Sequence, residues 1–141
     1  MTTGKFTFFW KNEMRTLLLL VTTALFTLPA GAQEKAFQRL FDGRSLDGWT
    51  ATPGGTWKVV DGAIVGTSPK SERRHGILLT DRQFSDFVIK AKFCLVSGDS
   101  GFYFRAGRVN SSVGVNGFQV EVDETQDTGG LYETGGRAWV Q

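Results

Sequence analysis

Across residues 84–96 apolar and polar side chains alternate, with Phe87, Ile89, Ala91, Phe93 and Leu95 on one face and Val88, Lys90, Lys92 and Cys94 on the other. A period of two marks a β-strand, whose side chains point to opposite faces in turn. Two further segments show the same alternation: Ser100-Gly101-Phe102-Tyr103-Phe104-Arg105 and, after a turn rich in Gly, Asn and Ser, Gly117-Phe118-Gln119-Val120-Glu121-Val122-Asp123. In both, Phe102, Phe104, Phe118, Val120 and Val122 can share a buried face. Tyr103, Arg105, Gln119, Glu121 and Asp123 then share the other.

The rest of the chain reads the same way. Residues 37–41 form a strand candidate ended by Asp42-Gly43, and Leu46-Asp47-Gly48-Trp49 is a turn that buries an aromatic ring. Trp57-Lys58-Val59-Val60 and Ala63-Ile64-Val65-Gly66 flank Asp61-Gly62, which predicts a hairpin closed by a two-residue type I′ turn. A polar loop spans 67–76, a strand follows over 77–80, and the glycine-rich segment 129–141 ends in a strand-like stretch. Helical periodicity is nearly absent, so the expected fold is all-β and antiparallel.

The N-terminus follows another pattern. Lys11 and Arg15 precede an apolar run over 17–28, and Ala30-Gly31-Ala32 offers small residues at a cleavage position, which predicts a secretory signal peptide over 1–32. The run is shorter than the ~20 residues a membrane-spanning helix needs. Met14 is an alternative start that would give a signal of ordinary length, and no cysteine follows the run to accept a lipid anchor. Residues 33–141 are then a single exported domain, periplasmic or extracellular, with no membrane partner after cleavage. Cutting after Ala32 discards Lys5, Lys11, Arg15 and Glu13, so the 16 basic and 14 acidic residues of the chain become equal in number. A neutral domain offers a nucleic acid no electrostatic support. Cys94 is the only cysteine, which excludes an intramolecular disulfide and a Cys/His zinc site.

The polar face of the two segments carries the candidate chemistry: two carboxylates, a guanidinium, an amide and a phenol at neighbouring positions. A plainer reading is an Arg–carboxylate network that pins the sheet. Glu121, Asp123, Glu124 and Asp127 could also make an oxygen-rich calcium or magnesium site, although no loop has regular ligand spacing. The sequence requires no cofactor and leaves a divalent metal open. His75, the one histidine, lies in the polar loop among Arg73, Arg74 and Gly76 and is expected to be exposed. Trp49 and Trp57 are expected in the core, and Trp139 is a candidate sugar-stacking platform.

Taken in order, Leu40-Phe41-Asp42-Gly43, Leu46-Asp47-Gly48-Trp49, Trp57-Lys58-Val59-Val60-Asp61-Gly62-Ala63-Ile64, Phe87-Val88-Ile89-Lys90-Ala91-Lys92-Phe93, the two alternating segments and Gly130-Leu131-Tyr132 resemble the 3-keto-disaccharide hydrolase domain, a family common in secreted bacterial proteins. The resemblance spans about residues 37–141. It implies a concanavalin A-like jelly-roll sandwich, and a C-terminally truncated one, because family members continue for several strands beyond the Gly-x-Leu-Tyr region. It also implies a carbohydrate substrate: a glycoside oxidised at C3, whose C2 proton is acidified and whose cleavage can run by proton abstraction, elimination and hydration. On that reading Glu121 or Asp123 is the base and the other carboxylate orients the sugar or holds the proton. Arg105 stabilises the oxyanion, and Tyr103, Gln119, Tyr132, Arg137 and Trp139 bind substrate. The alternatives are a non-catalytic carbohydrate-binding module and a laminarinase-type glucanase; Thr125 stands where the latter needs a second Glu.

Overall fold

The computed structural model describes residues 2–12 and 37–140, the former as backbone alone. Eleven β-strands run through these residues, without a helix among them. They are β1 (Thr2–Asn12), β2 (Gln38–Arg39), β3 (Trp49–Ala51), β4 (Thr56–Val60), β5 (Ala63–Ser68), β6 (Leu78–Thr80), β7 (Phe87–Ser97), β8 (Ser100–Arg108), β9 (Val115–Val122), β10 (Leu131–Thr134) and β11 (Ala138–Trp139). Every pairing is antiparallel. The chain is therefore all-β with antiparallel sheets, as a sandwich requires.

A five-stranded sheet runs β2-β1-β5-β4 with β7 on β1, a four-stranded sheet runs β11-β10-β9-β8, and β3 pairs with β6. The four-stranded sheet is a meander of consecutive strands. The larger sheet is not, because β1 lies between β7 on one edge and β5 and β2 on the other. β7 has no other strand partner among the described residues. β1 comes from the stretch ahead of Met14, whereas the apolar run 17–28 and Ala30-Gly31-Ala32 lie outside the described residues.

The local expectations translate directly. β4 and β5 pair from Thr56 with Thr67 to Val60 with Ala63, leaving Asp61 and Gly62 as the turn. Both have positive φ, 50° and 74°, as a type I′ turn demands. The core gathers around Phe41 and Ile64, against which Leu46, Trp49, Trp57, Val59, Ile89 and Phe102 pack. The Trp57 indole N–H donates to the Gly76 carbonyl at 2.8 Å, which ties the 69–76 loop to the core and satisfies the ring's one polar atom.

On β7 the alternation holds but the burial does not follow it throughout. Phe87, Ile89 and Leu95 are half-buried, whereas Ala91 and Phe93 on the same face are exposed. Cys94, on the opposite face of β7, is exposed.

Candidate functional site

The site is built on the register of the meander. β9 lies between β8 and β10, with Tyr103 opposite Gln119, Gln119 opposite Tyr132, and Tyr132 opposite Trp139. Because directly opposed residues share a face, these four form one row across the sheet. Tyr132 and Trp139 meet edge to face, with ring centroids 5.4 Å apart. Thr134 comes from the neighbouring row, where it pairs with Gly117, and its hydroxyl lies 3.0 Å from that of Tyr103.

Glu121 stands one step along β9 from this row, opposite Gly101. Its side chain is buried, with 9% of its surface exposed. The Gln119 amide nitrogen donates to both of its oxygens, at 3.0 and 2.9 Å, and holds the carboxylate in place. Gly101 is what makes room: a Cβ there would fall 2.4 Å from that same amide nitrogen. Asp99, in the turn between β7 and β8, brings a second carboxyl close enough to act on it. Burial, then the hydrogen bond and the negative charge of Asp99, push Glu121 up to about 7, against the Val122 N–H and the Gln119 amide, which favour its ionised form. The Tyr103 hydroxyl is also held above its ordinary range, first by burial and further by the nearby charge of Glu121. It is therefore a neutral donor at physiological pH.

Arg105 lies at the far end of this face. Between Phe104 and Gly107 the β8–β9 register slips by a bulge, and Arg105 occupies it with φ 50°. A non-glycine residue in left-handed conformation costs of order 1 kcal/mol, and bulges re-aim side chains. Gly117 lies against the bulge, where a Cβ would come within 2.9 Å of the Arg105 carbonyl oxygen. The rise of a strand puts Arg105 about 13 Å along β8 from Gly101, the residue opposite Glu121. Among the described residues no hydrogen bond or ion pair holds its guanidinium, so the Arg–carboxylate network that would pin the sheet is not formed there.

An open groove of about 1610 Å³ receives these groups. It follows β8, the free edge of its sheet, and is lined by Tyr103, Arg105, Gln119, Glu121, Tyr132 and Trp139. Two of the sequence candidates are not brought to it. Asp123 turns into its own loop, where its carboxylate accepts from the Thr125 hydroxyl, from the Thr125 N–H at 3.0 Å and from the Thr128 hydroxyl at 2.9 Å. These bonds, the Thr125 hydroxyl foremost, hold its carboxyl below the usual range. Arg137 pairs with Glu133 and leans toward the Phe118 ring, 6.0 Å from its centroid. Among the described residues no group of three or more His, Cys, Asp and Glu side chains is placed to ligate one ion, the Glu121–Asp127 stretch included.

The groove also contains groups that the alternation could not single out. Asp99 belongs to a turn, where period two carries no information, and only its position directly before β8 hints at the site. The exposed His75 and its loop neighbours also line the groove, fastened by the His75 backbone N–H to the Ser112 carbonyl at 3.0 Å. Sequence spacing gives no sign of a contact between segments so far apart.

Residues 36–140 match the model of the 3-keto-alpha-glucoside-1,2-lyase-like domain. The chain belongs to this family. No curated protein and no solved structure matches it significantly. The matched segment contains the whole meander and every groove residue named above.

Proposed function

We propose that this domain cleaves 3-keto-glycosides by elimination across C1 and C2 followed by hydration. The observation that carries the reading is Glu121: a buried carboxylate clamped by Gln119, with Asp99 nearby, on the same aromatic-lined face as Tyr103. A base titrating near 7 is matched to proton abstraction at neutral pH. The family's description as a 1,2-lyase-like domain names the same bond of the sugar.

In the proposed reaction the C3 ketone acidifies the C2 proton, and ionised Glu121 removes it. The electron pair forms an enolate whose oxygen receives a hydrogen bond from Tyr103, a donor aimed at the charge as it develops. Collapse of the enolate restores the ketone, forms the C1–C2 double bond and expels the C1 oxygen, which takes up a proton from the Glu121–Asp99 pair. Water then adds at C1, and its proton returns to C2. Gln119 keeps the base in position, while Tyr132 and Trp139 offer apolar ring faces to the sugar. Export of the protein, expected from its leader-like N-terminus, belongs to the same proposal; cleavage after Ala32 would remove β1 from the larger sheet, and N-terminal sequencing of secreted material checks it.

The test compares two carboxylates two residues apart. Glu121→Gln should lower turnover of a 3-keto-glucoside by about 10²- to 10⁴-fold. Asp123→Asn, outside the groove, should change it by less than about threefold. Equal losses would overturn the assignment of the base. Binding of intact glycans by the wild-type chain, without turnover of the keto-sugar, would favour a non-catalytic module instead.

A further inference from the structure

The groove is electrostatically polarised along β8. At one end Glu121 and Asp99 form an acidic pole around Gly101. At the other end Arg105 sits in its bulge, four residues further along the strand. The 67–76 loop meets that second end at His75, whose N–H bonds to Ser112 in the turn joining β8 to β9. Lys70 and Arg73 of the same loop line the groove as well.

Which of the charges there remain open decides what the pole can do. Arg74 is consumed by Glu72, to which it donates through Nε at 2.9 Å and Nη2 at 2.7 Å. Asp81 accepts from the Thr50 hydroxyl, and Arg108 reaches the Thr50 carbonyl at 3.5 Å. Arg82 stacks on Phe84 with its guanidinium 4.9 Å from the ring centroid. Lys70, Arg73 and Arg105 are exposed, and among the described residues no hydrogen bond or ion pair holds their side-chain charges. Three open cations from two separate segments thus line one groove, with Arg105 at the end away from Glu121.

We propose that this pole recognises an anionic substituent, a carboxylate or a sulfate ester, on the part of the substrate beyond the bond being cleaved. The proposal rests on the carbohydrate reading of the groove. The separation of the poles, about 13 Å along the strand, is of the order of a disaccharide: a sugar ring at Glu121 leaves its neighbour near Arg105. Guanidinium groups suit such oxyanions because their planar forks can donate two parallel hydrogen bonds. The bulge gives the strained backbone at Arg105 a purpose, since it turns a cation toward the groove at a position where glycine would cost less.

Binding of non-oxidised probes to the full 141-residue chain separates this idea from catalysis. Methyl β-glucuronide and methyl β-glucoside 6-sulfate should each be compared with methyl β-glucoside by titration calorimetry or chemical-shift titration. At least one anionic probe should bind about tenfold more tightly than the neutral one, and the one preferred identifies the anion. Lys70→Gln and Arg73→Gln should each cut that ratio by up to about fivefold, the upper end of the range for exposed charge pairs. Arg44→Gln, in the turn after Asp42 and outside the groove, should leave the ratio unchanged. Equal affinity for all three probes overturns the proposal, as does a preference that survives the Lys70→Gln/Arg73→Gln double variant. Glu121→Gln should abolish turnover while keeping the anion preference. Should it leave turnover intact instead, the catalytic assignment fails and the anionic pole stands.

Discussion

The two large sheets of this molecule are assembled by opposite routes. In the four-stranded sheet each strand pairs with its neighbour in sequence, so the Tyr103–Gln119–Tyr132–Trp139 row follows from short turns and period-two alternation. In the five-stranded sheet the central strand β1, which ends at Asn12, pairs with strands that begin only at Ala63 (β5) and Phe87 (β7). The functional face therefore rests on local pairing, and the five-stranded sheet depends on long-range closure. Local hairpins and distant closures differ in the loop entropy they must overcome. The site sheet should accordingly be the more autonomous of the two.

The largest expected effect breaks the comparison at β1. A chain comprising residues 33–141 lacks the only strand that pairs with β7 among the described residues. Native-state hydrogen exchange should show the amides of 87–97 unprotected, while those of β9, paired on both sides, remain slow to exchange. Equal protection of both regions would show that the sheets stand or fall together. Next in size, Tyr103→Phe should lower turnover by about 100-fold with little change in KM, as loss of an oxyanion donor does. An unchanged kcat would remove Tyr103 from the chemistry and leave it a Thr134-bonded part of the sheet.

The smallest effect concerns pH. Glu121 is raised from 4.5 to about 7 by folding, so the folded protein binds its proton more tightly than the unfolded chain. That contribution to stability is complete below the unfolded value and is lost as pH rises through about 7. Thermal denaturation should give a Tm lower by a few degrees at about pH 8.5 than at about pH 5.5 from this group, and Glu121→Gln should flatten the profile. A profile identical in wild type and variant would mean that Glu121 titrates like an exposed carboxylate. Turnover has the opposite slope, rising with pH as the base ionises.

Glu121 and Asp123 show how far the site could be read in advance. Both alternate onto the same side of β9, and nothing in their spacing distinguishes them. The difference arises beyond the strand's end: Thr125 and Thr128 close a loop around Asp123, whereas Glu121 is sealed by Gln119 and met by Asp99 from another turn. Arg105 was legible as a member of the polar face. Its separation from the carboxylates was not, since the bulge that isolates it is a property of two strands in register.

What the residues determine alone is whatever is local: the all-β class, the Asp61-Gly62 turn, the alternation of β7, β8 and β9, and membership of Tyr103, Gln119 and Glu121 in one face. Those features depend on φ preferences and on a two-residue period, both written in consecutive residues. Tertiary structure alone decided that β1 enters the larger sheet, that Asp123 leaves the site and Asp99 joins it, and that the 67–76 loop meets the Arg105 end of the groove. Each of these depends on which distant segments come to lie side by side, and on the burial and charge that the meeting creates.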